Sequence, residues 1–203
     1  KALEASVHGD EYQKPHTSAE WGETFEGFLA QVPCQKWINF PANNFRASHK
    51  IDQLKRAQAV GLQVPVWTVT TRPSSAKAFL KAFGPSIIAK PLSSGFIERD
   101  VPERDTIVYT SQVTDRHSHL FERLPSCPVL FQAKVRKACD VRLVVVADQM
   151  IAVTLQAVGA DGVQRLDIRR HNMRDVRYGS TNIPDTVRQN VFRLMNEYNL
   201  LFG

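Results

Sequence analysis

Lys90 closes an apolar run, Ser86-Ile87-Ile88-Ala89-Lys90, where a solvated ammonium is not the default side chain. A lysine there either offers a compact positive charge to a phosphate or lays its stem on a sheet and sends its head outward. The residues alone leave both readings open. Lys50 lies near the start of a helical stretch, where a lysine is ordinarily solvated. The Ser93-Ser94-Gly95 turn has backbone N–H groups to offer an anion, but no glycine-rich phosphate-loop pattern surrounds it. Arg165, Arg169, Arg170, Arg174 and Arg177 are interleaved with Asp167 and Asp175, a cluster that suits a small anion as well as a polynucleotide. Three other chemistries find less support. His117 and His119 are a metal pair without a third ligand nearby, Cys127 and Cys139 have no neighbouring histidine, and no serine sits in a GxSxG elbow.

The elements that must position these residues follow from periodicity and punctuation. A helix is expected from a Thr17/Glu20 capping box through Trp21, Phe25, Phe28, Leu29 and Val32, ending before Pro33. Trp37 to Phe40 reads as a short extended entry halted by Pro41. A second helix starts near Ser48, presents Ile51, Leu54, Ala57 and Val60, and stops at Gly61. Val64 to Thr70 reads as an edge strand because of Pro65. Pro73 and Ser74 open a helix with Ala76, Phe79, Leu80 and Phe83 on its apolar face, followed by the strand at 86–90. After the serine turn come a strand at Ile107 to Thr110, a short helix at Asp115 to Phe121 and a strand at Val129 to Val135. Val141 to Ala147 and Met150 to Leu155 form a hairpin turning at Asp148-Gln149. Loops and short strands fill 156–182, and a last helix begins at Pro184, burying Val187, Val191, Leu194, Met195 and Tyr198. Alternating strands and helices followed by a hairpin-rich half give an α+β class in two small lobes.

Composition narrows the function classes. With 203 residues and 43% hydrophobic content, the chain is neither disordered nor a disulfide scaffold, and it is long enough for a sizeable core. Its longest apolar run, Leu143 to Ala147, is broken by Asp148, far short of the roughly 18 residues of a membrane span. Three cysteines without CxxC spacing fit a reduced, cytoplasmic setting. The net charge of +6 is dispersed, so it does not by itself select nucleic acid. The absence of Met at position 1 reads as a piece of a longer polypeptide.

An ordered set of short motifs goes further. It runs Trp37-Ile38-Asn39-Phe40-Pro41, Asn43-Asn44, Ser48-His49-Lys50, Gln53-Leu54, Ala57, Gly61, Pro65, Thr68 and Thr71. It continues through Lys90-Pro91-Leu92, Tyr109-Thr110-Ser111, Pro128-Val129-Leu130-Phe131-Gln132, Asp140-Val141-Arg142 and Asp167-Ile168-Arg169, and closes with Leu194-Met195, Leu200, Phe202 and Gly203. This order resembles the ATP-grasp ligases of the microviridin or graspetide type, which cyclise ribosomally made peptides. The resemblance implies an ATP-grasp fold whose two small lobes clasp a nucleotide. Residues 1–36 would belong to the preceding domain, 37–128 to the first lobe and 129–203 to the second.

It also implies roles. Lys50 and Lys90 would hold the ATP phosphates, with Ser93, Ser94 and Gly95 beside them. Gln132, Ala133, Lys134 and Val135 would be the hinge that reads adenine, and Asp140 would sit at the ribose. Arg142 and Arg169 would face the transferred phosphoryl group as catalytic residues. Ala133 stands where the family usually has Glu. No metal ligand is assigned, because the family's Asp and Glu-x-Asn magnesium ligands are expected after Gly203. The implied cofactors are ATP and Mg²⁺, and the implied partner is a precursor peptide with a leader and an acidic core. Neither nucleic acid nor membrane is expected, and a homo-oligomer is left open. Three other readings are an ATP-grasp ligase that adds an amino acid to an acceptor, a non-catalytic nucleotide- or peptide-binding module, and a basic RNA-binding protein.

Overall fold

The computed structural model describes residues 13–33, 37–84, 87–97, 106–159, 162–170 and 173–203. Two compact units divide between Trp37 and Ile38. The first has one described helix, α1 (Gln13–Gln31). It begins ahead of Thr17, so Thr17 is not its cap. Pro15 lies in its first turn, where a missing N–H leaves no helical bond unmade. Trp21, Phe25 and Phe28 follow at helical spacing and are all more than half exposed.

The second unit is built on a four-stranded antiparallel sheet in the order β1 (Trp67–Thr70), β6 (Val129–Ala133), β2 (Ile87–Lys90) and β5 (Ser111–Val113). β1 is an edge strand, and it starts at Trp67, two residues after Pro65, rather than at Val64. Ile87 lies opposite Val113 and Ala133, and Ala89 opposite Phe131, so these side chains share one face. Against that face pack Ala76, Phe79 and Leu80 of α4 (Pro73–Phe83) and Phe121 and Leu124 of a 3₁₀ helix (Asp115–Ser126). Pro73 at the first turn and an i, i+3, i+4 stripe explain why α4 forms there. The opposite face carries Ile88, Lys90, Leu130 and Gln132.

The expected strand at Ile107 to Thr110 is replaced by two shorter ones. Thr106–Ile107 (β4) pairs with Phe96–Ile97 (β3), and β5 starts at Ser111. The turn before β3 depends on Gly95, whose φ is +79° and where an added Cβ would lie 2.5 Å from the Val108 carbonyl oxygen. The short helix is a 3₁₀ helix reaching Ser126, and its start occupies His117, whose Nδ1 accepts from the Thr114 N–H at 3.1 Å. His117 is therefore a capping residue.

A three-stranded sheet, β7 (Asp140–Val146), β8 (Gln149–Gln156) and β9 (Arg177–Ser180), forms the other layer. The β7–β8 hairpin turns at Ala147-Asp148, one residue earlier than expected, with Ala147 at φ 52°. Phe202 bridges to Val146, so the last residues extend this sheet at the β7 edge. Three helices complete the unit: α2 (Pro41–Ala47), α3 (Lys50–Ala59) and α5 (Asp185–Glu197). Trp37 to Phe40 forms no strand, and Pro41 opens α2 instead of halting one, since its fixed φ suits a first helical turn. The anticipated apolar face of α3 is only partly realised, with Ile51 exposed and Val60 buried. Among the described residues no helix is long and apolar enough to cross a membrane.

Candidate functional site

A cavity of about 570 Å³ lies between the Lys90 face of the four-stranded sheet and the start of β7 with the 164–169 loop. Its lining is part apolar and part charged. The apolar part is Ile88, Val135, Leu155, Leu166 and Ile168. Gln132, on the central strand β6, enters this apolar wall. It is 2% exposed, and its Oε1 is the one buried side-chain polar atom without a hydrogen-bond partner among the described residues. An unpaired buried amide oxygen is costly, so its retention in a cavity wall points to a ligand carrying an N–H donor. Beyond Ala133 the chain leaves the sheet, and Lys134 and Val135 run along the rim. Lys134 Nζ donates to Gln112 Oε1 at 2.8 Å.

The same lining carries Lys90, Lys134, Lys137, Arg142 and Arg169. Strand alternation places Lys90 two residues after Ile88 on the same face, so its ammonium enters the cavity. Burial lowers its pKa; Asp167 opposes that shift, while Lys137, Lys50 and Arg169 add to it. No hydrogen bond or ion pair reaches the Lys90 ammonium among the described residues. Arg142, at the start of β7, likewise has no carboxylate partner among them. A desolvated ammonium beside other cations is an unfavourable arrangement that an anion would relieve.

Arg169 is held in place. Its Nε and Nη2 donate to Asp167 Oδ1 and Oδ2 at 2.9 and 2.7 Å, and its backbone N–H also reaches Oδ1. Asp167 is buried and takes a further bond from the Thr110 N–H at 3.1 Å. The Arg169 bond, followed by the backbone bonds, holds its carboxyl well below the usual range, against the opposing effect of burial. This two-pronged grip engages Nε and Nη2 of Arg169 and not its Nη1. The guanidinium groups of Arg169 and Arg170 lie 5.8 and 5.5 Å from the Tyr109 ring centre, which orients both.

The structure therefore brings eight of the expected residues to one cavity: Lys90, Gln132, Ala133, Lys134, Val135, Asp140, Arg142 and Arg169. Lys50, Ser93, Ser94 and Gly95 are not on its wall. Lys50 Nζ donates to the carbonyls of Leu92 and Ser93, both at 2.7 Å, and the hydroxyls of Ser93 and Ser94 accept from the Gly95 and Phe96 N–H groups. Asp140 receives Lys137 Nζ on both oxygens, at 2.8 and 2.7 Å, and Lys137 also donates to Leu166 O. Sequence reasoning assigned no role to Lys137 or Asp167. The i, i+3 spacing of Lys137 to Asp140 was the available signal for the first. For Asp167 it was the Asp-x-Arg spacing on a tight turn. Among the described residues no three His, Cys, Asp or Glu side chains converge as a metal site.

No family model and no curated protein matches the chain. Solved structures do. The RiPP-associated ATP-grasp ligase from Chryseobacterium gregarium, in complex with ADP and a leader and core peptide, superposes with a TM-score of 0.82 at 25% identity over 96% of this chain and 57% of its own. The macrocyclase MdnC from Microcystis aeruginosa MRC, bound with precursor peptide MdnA, gives 0.78 at 24% identity, over 98% and 60%. The ATP-grasp ligase PsnB, complexed with minimal precursor, Mg and ADP, gives 0.70 at 21%, over 95% and 56%. The chain has the ATP-grasp fold. Its likeness is to ligases of ribosomally made peptides, and it spans 57–60% of the length of the two with the higher TM-scores.

Proposed function

We propose that this cavity binds ATP with Mg²⁺ and that the chain carries the core of an ATP-dependent ligase. The ligase would form ester or amide crosslinks in a ribosomally made precursor peptide. The observation that carries the reading is the mixed lining of the cavity: Gln132 Oε1 buried without a partner, with apolar side chains and the cations Lys90, Arg142 and Arg169 around the same space. An adenine offers an N–H donor to Gln132 and flat faces to the apolar side chains, and a polyphosphate satisfies the cations. Mg²⁺ would accompany the nucleotide and supply neutralising charge at its phosphates, and no described residue is assigned as its ligand.

In the reaction, a side-chain carboxylate of the peptide attacks the terminal phosphorus of ATP. The bond to the bridging oxygen breaks, ADP leaves, and an acyl phosphate forms. A hydroxyl or amine of the same peptide then attacks the acyl carbon, expelling inorganic phosphate and giving up its proton. Charge builds on non-bridging phosphoryl oxygens, where the ammonium of Lys90 and the planar guanidinium groups of Arg142 and Arg169 would meet it. Asp167 keeps Arg169 in one orientation, so little reorganisation is needed at the moment of transfer.

We place the reaction in the cytoplasm, on a peptide with a leader and an acidic core. The exposed Arg169, Arg170, Arg174 and Arg177 are of the right charge for such a core. Mass spectrometry of precursor peptide incubated with ATP tests the proposal, since ring closure removes one water per crosslink. A mass increase by one amino acid would instead select the ligase that adds a residue to an acceptor.

A further inference from the structure

A second polar network joins α3 to the end of α5, away from the cavity. Tyr198 is 3% exposed, yet its hydroxyl finds a carboxylate, donating to Asp52 Oδ2 at 2.9 Å. Arg56 Nε donates to the same oxygen at 2.8 Å, and Arg56 Nη1 reaches Glu197 Oε2 at 3.0 Å. The guanidinium groups of Arg56 and Arg46 lie 5.2 and 5.9 Å from the Tyr198 ring centre. Burial, then the bond to Asp52, pushes the phenol up to about 12, so it remains a donor at all ordinary pH values. Beside this cluster, Asn39 Oδ1 accepts from the N–H groups of Leu201 and Phe202 at 2.7 and 3.0 Å, and its Nδ2 donates to Phe202 O at 2.7 Å. Helix α3 is thus docked on α5 and the chain segment after it by directional bonds.

The first residue of α3 is Lys50, two positions before Asp52 and so about 200° around the helix from it. One side of α3 therefore grips α5 while the other sends Lys50 to the Leu92 and Ser93 carbonyls. That loop begins two residues after Lys90, which lines the cavity. The covalent and hydrogen-bonded path is short: Tyr198, Asp52, about half a turn of helix, Lys50, Leu92 and Ser93, Lys90.

We propose that Asp52 and Tyr198 are positioning residues for the phosphate end of the cavity, acting through Lys50 and the Leu92–Ser93 loop. This inference rests on the reading of the cavity as an ATP site. A staple that only held the fold would affect every ligand of the cavity alike. A positioning pair acts on phosphates and depends on Lys50.

The test is a cycle of Tyr198→Phe and Lys50→Met in the intact chain, with ATP and adenosine affinities and melting temperature measured for each. Tyr198→Phe keeps the ring and removes one bond to a charged group. It is expected to weaken ATP about fivefold, leave adenosine unchanged, and have no further effect on ATP once Lys50 is Met. Asp52→Asn, which keeps the side-chain shape, is expected to give the same pattern. Equal weakening of ATP and adenosine, or the same penalty in both Lys50 backgrounds, would overturn the inference while leaving the ATP reading intact. Failure of the unmodified chain to bind ATP would overturn both.

Discussion

Replacing Gln132 by Met separates binding from folding, because the two should change in opposite directions. Gln132 is 2% exposed and its Oε1 has no partner among the described residues. An unsatisfied buried polar atom costs about 1–3 kcal/mol. Met has a similar volume and shape, and such core exchanges usually cost less than about 1.5 kcal/mol in repacking. The ligand-free protein should therefore gain roughly 1 kcal/mol, a rise in Tm of about 2–4 °C for a chain of this size. With nucleotide the sign reverses. Losing an acceptor for the adenine amino group removes about 0.5–1.5 kcal/mol, or roughly two- to tenfold in affinity. Purine riboside triphosphate, which lacks that amino group, should bind the unmodified protein more weakly than ATP by the same factor and should bind Gln132→Met no more weakly than ATP. Thermal melts without ligand and titration calorimetry with both nucleotides measure these quantities. A variant that melts lower and binds ATP as before would show that Gln132 is a structural residue whose oxygen is satisfied in solution.

Three further outcomes are expected. Lys90→Met should weaken ATP by about 1.5–3 kcal/mol, the scale of a hydrogen bond to a charged group, without lowering Tm, because the ammonium it removes is desolvated; calorimetry beside a melt reads both. Arg142→Lys should abolish turnover of a precursor peptide while ATP binding stays near normal, since an ammonium cannot present the planar fork; mass spectrometry and calorimetry separate the two. Asp167 gives an acid limb to stability: its folded pKa lies below the unfolded value of about 4, so its contribution is complete above that pH and is lost as pH falls below it. Asp167→Asn should flatten the loss of stability in that window, as followed by denaturant midpoints from pH 5 downward.

Much of the first sheet was legible because its elements carry strong local signals. Pro73, the Ala76-Phe79-Leu80 stripe and Gly84 mark α4 at both ends, and the run before Pro91 marks β2. The β3–β4 ribbon and β5 were not anticipated, since strands of two or three residues have too little alternation to register. The hairpin was found, but its turn was expected one residue too late, because neither Ala147 nor Asp148 is a glycine and the positive φ falls on Ala147. The cavity residues were assembled by family resemblance, which preserves the order of Lys90, Gln132, Asp140, Arg142 and Arg169 across stretches that no helical or strand period connects. What resemblance did not show is how these residues are supported. The bonds of Asn39 to Leu201 and Phe202, and of Asp52 to Tyr198, join segments near opposite ends of the chain. The grip of Lys50 on the Leu92 and Ser93 carbonyls depends on the docking of α3, which is tertiary and leaves no mark in local spacing.

The central claim is that one cleft takes the base at Gln132 and the phosphates at Lys90. A crystal structure of the protein with a non-hydrolysable ATP analogue tests it most directly. The account predicts an adenine amino group within hydrogen-bond distance of Gln132 Oε1, and phosphate oxygens within reach of Lys90 Nζ and the Arg142 or Arg169 guanidinium. An analogue bound elsewhere, or seated in the cleft with its phosphates toward Gln132, would contradict it.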